Sequence, residues 1–162
     1  MESLAWFENT PLSLWVRESP LVFPTILIIH ALGMGALVGV NVLLGLRAFG
    51  LARSATAASL ERFIPIMWLG FIACLGSGLM LLAGYPAKAL TNGVFYLKFI
   101  LMGAAFVVSL RLRRRLVASS HEELAGSLPV TAAMLLLLWA GVISAGRFLA
   151  YTHTVLLAYH LI

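Results

Sequence analysis

Charge is scarce in this sequence, and acid is scarcest of all: six Asp and Glu stand against eleven Lys and Arg, and charged residues fill only 10% of 162 positions. A soluble domain carries about 25%, so water is not the main solvent of this chain. A single cysteine, Cys74, excludes an intrachain disulfide and any multi-cysteine metal centre. The acidic N-terminal stretch MESLAWFENTPLSLWVRESP lacks the basic region, apolar core and small-residue cleavage site of a signal peptide, so it is expected to be retained. Within the apolar runs there is no Gly-rich phosphate loop, Ser/His/Asp set or carboxylate pair, and hydrolytic chemistry therefore has no visible machinery.

What the sequence has in abundance is hydrophobic residues, 62% of the total. They fall into four separated runs, each near the roughly 20 residues that cross a bilayer as a helix. The reading is an all-α polytopic membrane protein, a four-transmembrane-helix bundle forming one domain over residues 1–162, with spans at about 21–46, 63–83, 94–110 and 128–147. Thr10 followed by Pro11 reads as an N-cap and first helical position. A short helix from Pro11 to about Ser19 would place Leu12, Trp15 and Val16 on one apolar face, which suits an N-terminal interfacial helix. Ser120 and Glu123 stand at capping-box spacing and predict a further short helix before Pro129 opens the fourth span.

The net charge of +5 would suggest nucleic acid in a soluble protein, but its distribution says otherwise. Seven of the eleven cations, Arg47, Arg53, Arg62, Arg111, Arg113, Arg114 and Arg115, cluster around two loops. This is the positive-inside signature. Those loops are expected in the cytoplasm, both termini outside, and the bilayer rather than nucleic acid is the expected partner. Small residues crowd the first two spans: Gly33, Gly35, Gly39 and Gly45, with Ala31 in register, then Gly70, Ala73, Gly76, Ser77 and Gly78. In lipid such residues let helix backbones approach closely.

Ionisable groups inside spans are costly and commonly functional, which singles out His30, Lys98 and Arg147. His30 is expected roughly 13 Å below the outer surface and Lys98 roughly 6 Å, with Arg147 near the same face. Asn41 lies eleven residues after His30, Ser109 eleven after Lys98, and Ser144 one turn before Arg147, so each helix carries a polar stripe that would line one interior site. Against this, lysine and arginine near helix ends snorkel to headgroups, and an intramembrane histidine also serves simply as a helix-bridging neutral imidazole. His121 reads as a solvated loop residue. His153 and His160 share a helix face, but in a tail that suits an interface or a partner contact.

Two cofactors fit these residues. Haem b needs an axial nitrogen, an apolar slot and cations for its propionates. His30 supplies the first, the glycines of the first two spans are expected to leave room for the second, and Arg147, Arg17 or Lys88 the third, with Lys98 as a neutral-amine sixth ligand or polar partner. Copper is the alternative metal, with His30, Cys74 and methionines such as Met34 and Met67 as borderline or soft ligands.

Three stretches, TPLSLWVRESPLVFPTILIIHALGMGALVGVNVLLGLRAFG, NGVFYLKFILM and GVISAGRFLAY, together resemble an uncharacterised family of small four-helix bacterial membrane proteins. The pieces that carry this are His30-x-x-Gly33, Arg47, Lys98 and Ala145-Gly146-Arg147. More distantly the layout is similar to the CopD copper-resistance membrane domain and to the small membrane protoporphyrinogen oxidase, whose first-helix histidine and third-helix lysine are associated with haem. His30 and Lys98 match those positions in order and helix; Leu27 and Gly45 stand where acidic residues are expected. The resemblance implies four helices in the bacterial cytoplasmic (inner) membrane. The leading expectation is a haem-b-binding, cytochrome-like subunit passing electrons within a larger redox complex or homo-oligomer, with His30 as iron ligand. A non-catalytic scaffold or accessory subunit and a copper-handling or transport protein are the alternatives.

Overall fold

In a computed structural model, residues 6, 9–52, 57–118 and 128–159 are described, apart from the side chains of 57–58, 117–118 and 152–159. Six helices follow in order among the described residues: α1 Pro11–Glu18, α2 Val22–Ala48, α3 Ala57–Gly84, α4 Pro86–Leu90, α5 Gly93–Ala118 and α6 Leu128–Tyr159. Four of them, α2, α3, α5 and α6, are long and apolar enough to cross a membrane. The chain is a multi-pass, all-α membrane protein. The stretch bearing Ser120, His121 and Glu123 lies outside the described residues, as does His160.

Local chemistry sets the helix ends. Thr10 accepts a 3.4 Å bond from the Ser13 N–H and Pro11 opens α1, as their order in the chain predicts. Gly50, at φ 76°, ends α2 in a Schellman turn: its N–H donates to the Arg47 carbonyl at 3.0 Å, and that of Leu51 to Leu46 at 3.0 Å. The arginine-bearing ends overrun the spans expected from hydropathy alone. α3 begins before Glu61 and Arg62, and α5 carries Arg111 to Arg115 onward to Ala118. Arginine is a strong helix former, and cations in a last turn complement the helix dipole, so the backbone continues after the apolar run stops. α6 likewise runs through Arg147 to Tyr159.

Helices α2 and α3 form one closely packed pair and α5 and α6 the other, with α2 also lying against α6 and α5. At the first seam the backbones touch. A Cβ built on Gly70 would stand 2.7 Å from the Gly33 carbonyl oxygen and 2.8 Å from the Leu37 nitrogen, and one on Gly33 would stand 2.9 Å from the Gly70 carbonyl oxygen. Only glycine fits both positions. Between α3 and α5 the filling is aromatic instead: the Phe106 ring lies 5.0 Å from Phe71, 6.4 Å from Trp68 and 6.0 Å from Trp139 of α6. Leu37, Leu44, Leu135, Trp139 and Val142 complete a buried core in the middle of the bundle. Leu32, Leu69, Ile100 and Leu137 face outward, each about two-thirds exposed or more, as side chains solvated by lipid do.

α1 closes over the end of the first pair. Its Ser13 hydroxyl donates to the Gly84 carbonyl at 3.1 Å, and Val16 packs so closely that a Cβ on Gly84 would stand 2.9 Å from it. Val16 is therefore buried while Leu12 and Trp15 remain exposed, which divides the apolar face expected to be continuous. Behind it, α4 is tied to α6 by Lys88, whose amine donates to the Ala150 carbonyl at 3.1 Å.

Candidate functional site

His30 sits on the third turn of α2, about 12 Å along the helix from Val22. Its ring meets α3 one level beyond the glycine seam, because α2 and α3 run antiparallel and a step of three residues from Gly33 faces a step of seven from Gly70. The imidazole Nδ1 lies 2.9 Å from the Ser77 Oγ. Ser77 is itself buried, and its hydroxyl donates to the Ala73 carbonyl at 2.5 Å, with the Cys74 carbonyl at 3.3 Å. The Cys74 thiol faces back across the seam to the His30 carbonyl at 3.5 Å. Gly78 borders the ring, where a Cβ would meet Cε1 at 3.6 Å.

From the other pair, Lys98 enters one turn into α5 and lays its side chain against α6: a Cβ on Gly146 would stand 3.6 Å from Nζ. Lys98 lies within electrostatic reach of both His30 and Cys74. Among the described residues it has neither a hydrogen bond nor an ion pair. The half of the bundle near the α3–α5 connection thus holds an imidazole from α2, a thiol and a hydroxyl from α3 and an amine from α5.

Of the three residues singled out from sequence, His30 and Lys98 lie in the same half of the bundle within electrostatic reach of each other, and Arg147 is turned away from them. Arg147 follows Gly146 on α6 but is exposed, and among the described residues no hydrogen bond or ion pair joins it to His30 or Lys98. The side chain of His153, two turns further along α6, lies outside the described residues. The polar stripes also separate. Asn41 is wholly buried at another level, its amide donating to Leu37 of its own helix at 2.8 Å, and its Oδ1 has no hydrogen-bond partner among the described residues. Ser144 faces outward. The slot expected between the first two spans is absent at the level of Gly33 and Gly70, because those glycines bring the backbones into contact there.

The residues that spacing did not single out are Ser77 and Cys74 in this pairing. Ser77 stands seven residues after Gly70, two turns along the same helix face, so the run of small residues held the signal: the face that packs α3 on α2 also delivers a hydroxyl to His30.

No protein-family model, curated protein or solved structure matches the chain.

The chemistry of the donor set is selective. Among the described residues no group of three or more His, Cys, Asp or Glu gathers to hold a metal ion. A bare copper or zinc ion draws most of its ligands from protein side chains, and His30 with Cys74 would need methionine sulfurs to complete such a set. Haem iron already has four porphyrin nitrogens and asks the protein for one or two axial ligands. A single half-buried imidazole, with an amine within electrostatic reach, fits that smaller requirement.

Proposed function

We propose that this chain is a haem-b-binding, cytochrome-like subunit of the bacterial cytoplasmic membrane that passes electrons within a larger redox assembly. The observation that carries the reading is the half-buried imidazole of His30, whose Nδ1 lies 2.9 Å from Ser77 Oγ, in a bundle whose described residues gather no group of three His, Cys, Asp or Glu. When bound, haem would supply one-electron transfer. His30 would provide the axial nitrogen; Lys98, unpaired among the described residues, would provide a second ligand as a neutral amine or a polar contact. Arg147, exposed near the end of the apolar span of α6, would meet a propionate. Copper handling is the weaker reading because of the ligand count.

An absorbance spectrum of the purified protein tests this directly. A Soret band with reducible α and β bands is the expected result. A colourless protein with stoichiometric copper would overturn the haem reading in favour of copper, and a colourless, metal-free one in favour of a scaffold.

The orientation belongs to the same proposal. Arg47 closes α2, Arg62 lies near the start of α3 and Arg111 to Arg115 end α5, so these cations gather at one end of the bundle, where Arg113 pairs with Glu61 at 3.6 Å. That end is assigned to the cytoplasm, and α1, with Leu12 and Trp15 exposed, to the outer headgroup region. Alkaline phosphatase fused after Ile162 is expected to be active and a cytoplasmic fluorescent reporter dark. The opposite pattern would invert the assignment.

A further inference from the structure

We infer that Ser77 is a positioning residue that fixes His30 in the Nδ1–H tautomer, so that Nε2 carries the free lone pair of the site. The inference rests on a count of protons. A serine hydroxyl has one hydrogen and can accept two bonds. The Ser77 Oγ lies 2.5 Å from the Ala73 carbonyl oxygen, a separation that two oxygens hold only with a proton between them, and an i to i−4 bond is the ordinary one for a helical serine. With its hydrogen committed to that carbonyl, Oγ is left as an acceptor. The imidazole nitrogen 2.9 Å away must then be the donor, which puts the ring hydrogen on Nδ1 and leaves Nε2 bare.

The chain of donors runs in one direction: His30 Nδ1–H to Ser77 Oγ, then Ser77 O–H to the backbone of α3. It is built on the closest part of the bundle. The glycine seam holds α2 and α3 in backbone contact one turn away, and the Cys74 thiol to His30 carbonyl contact of 3.5 Å makes a second crossing at the same level. The ring is thereby fixed in both protonation site and orientation. A histidine that ligates a metal commonly has its other nitrogen held in this way, and loss of the holding group costs roughly 10- to 100-fold in affinity. The assignment deepens the haem reading, since Nε2 is the atom that reading requires, but the tautomer is a property of the protein alone.

The experiment therefore has two arms. Haem-free protein with ¹⁵N-labelled histidine in lipid nanodiscs is examined by NMR, with His30 identified by the signals lost in His30→Gln. The wild type is expected to show a protonated Nδ1 and an unprotonated Nε2; Ser77→Ala shifts the population toward Nε2–H, Ser77→Thr retains the wild-type pattern, and Gly78→Ala, which adds a methyl at an ordinary contact distance from the ring, leaves it unchanged. A wild-type protein already in the Nε2–H form, or a Ser77→Ala spectrum identical to wild type, overturns the inference without any reference to haem. In the second arm haem is added: Ser77→Ala is expected to bind it about 10- to 100-fold more weakly and at a higher reduction potential, since the lost bond makes the ligand less basic. Failure of every variant to bind haem, with the tautomer pattern as expected, sinks the haem reading and leaves the role of Ser77 standing.

Discussion

On the haem proposal, purified His30→Ala protein is expected to lack the Soret band expected of the wild type, while His30→Met keeps a band with a shifted spectrum and potential. Alanine removes the nitrogen and leaves a cavity; methionine restores a possible iron ligand. Comparing the two separates loss of a ligand from loss of packing. Lys98→Ala should alter the spin state if its amine reaches the iron. Arg147→Ala should weaken retention of haem with little change in the ligand-field spectrum, in keeping with an exposed guanidinium near the end of the apolar span. An unchanged haem spectrum in a folded, inserted His30→Ala protein would place the ligand elsewhere.

A second large effect is expected from a substitution with no polar chemistry at all. Gly70→Ala puts a methyl 2.7 Å from a carbonyl oxygen and 2.8 Å from an amide nitrogen of α2, both backbone atoms that cannot swing aside. The two helices must separate, at a cost of about 1–3 kcal/mol or more, and the crossing of His30 to Ser77 widens with them. Gly35→Ala and Gly39→Ala, on α2 itself, meet nothing within 4 Å. They are expected to be neutral or to stabilise by roughly 0.5–1 kcal/mol, since alanine is the better helix former. Thermal unfolding in detergent, read together with haem content, gives the comparison. Equal melting temperatures for the Gly70 and Gly35 variants would mean that the seam is not in backbone contact.

The four spans and the start of α1 were legible in the sequence because each depends on local properties: an apolar run of bilayer length, and a threonine before a proline. The glycine pattern carried the idea of close packing but not which glycines pack. Gly33 and Gly70 meet, whereas Gly35, Gly39 and Gly76 are open, and nothing in a single helix distinguishes them. Nor does a single helix show what each of its polar residues meets. Residues eleven apart share a helix face, yet Asn41 bonds its own backbone and His30 bonds α3, because the face meets different surroundings at different depths. Hydropathy also made the spans too short at the arginine-bearing ends of α3 and α5, since it registers where apolar character stops and not where helical hydrogen bonding does.

The contact between Ser13 and Gly84 bears on the order of biosynthesis. These residues are 71 positions apart, and the carbonyl that Ser13 binds belongs to the last residue of α3. At translation rates of about 5–20 residues per second, roughly 4–14 s separate the synthesis of the serine from that of its acceptor. Throughout that interval α1 has no α3 end to dock on, and Trp15 and Leu12, which stay outward in the finished protein, are the side chains able to hold it at the bilayer surface. Docking of Val16 onto Gly84 therefore follows completion of α3 and, at the earliest, precedes synthesis of α5 and α6.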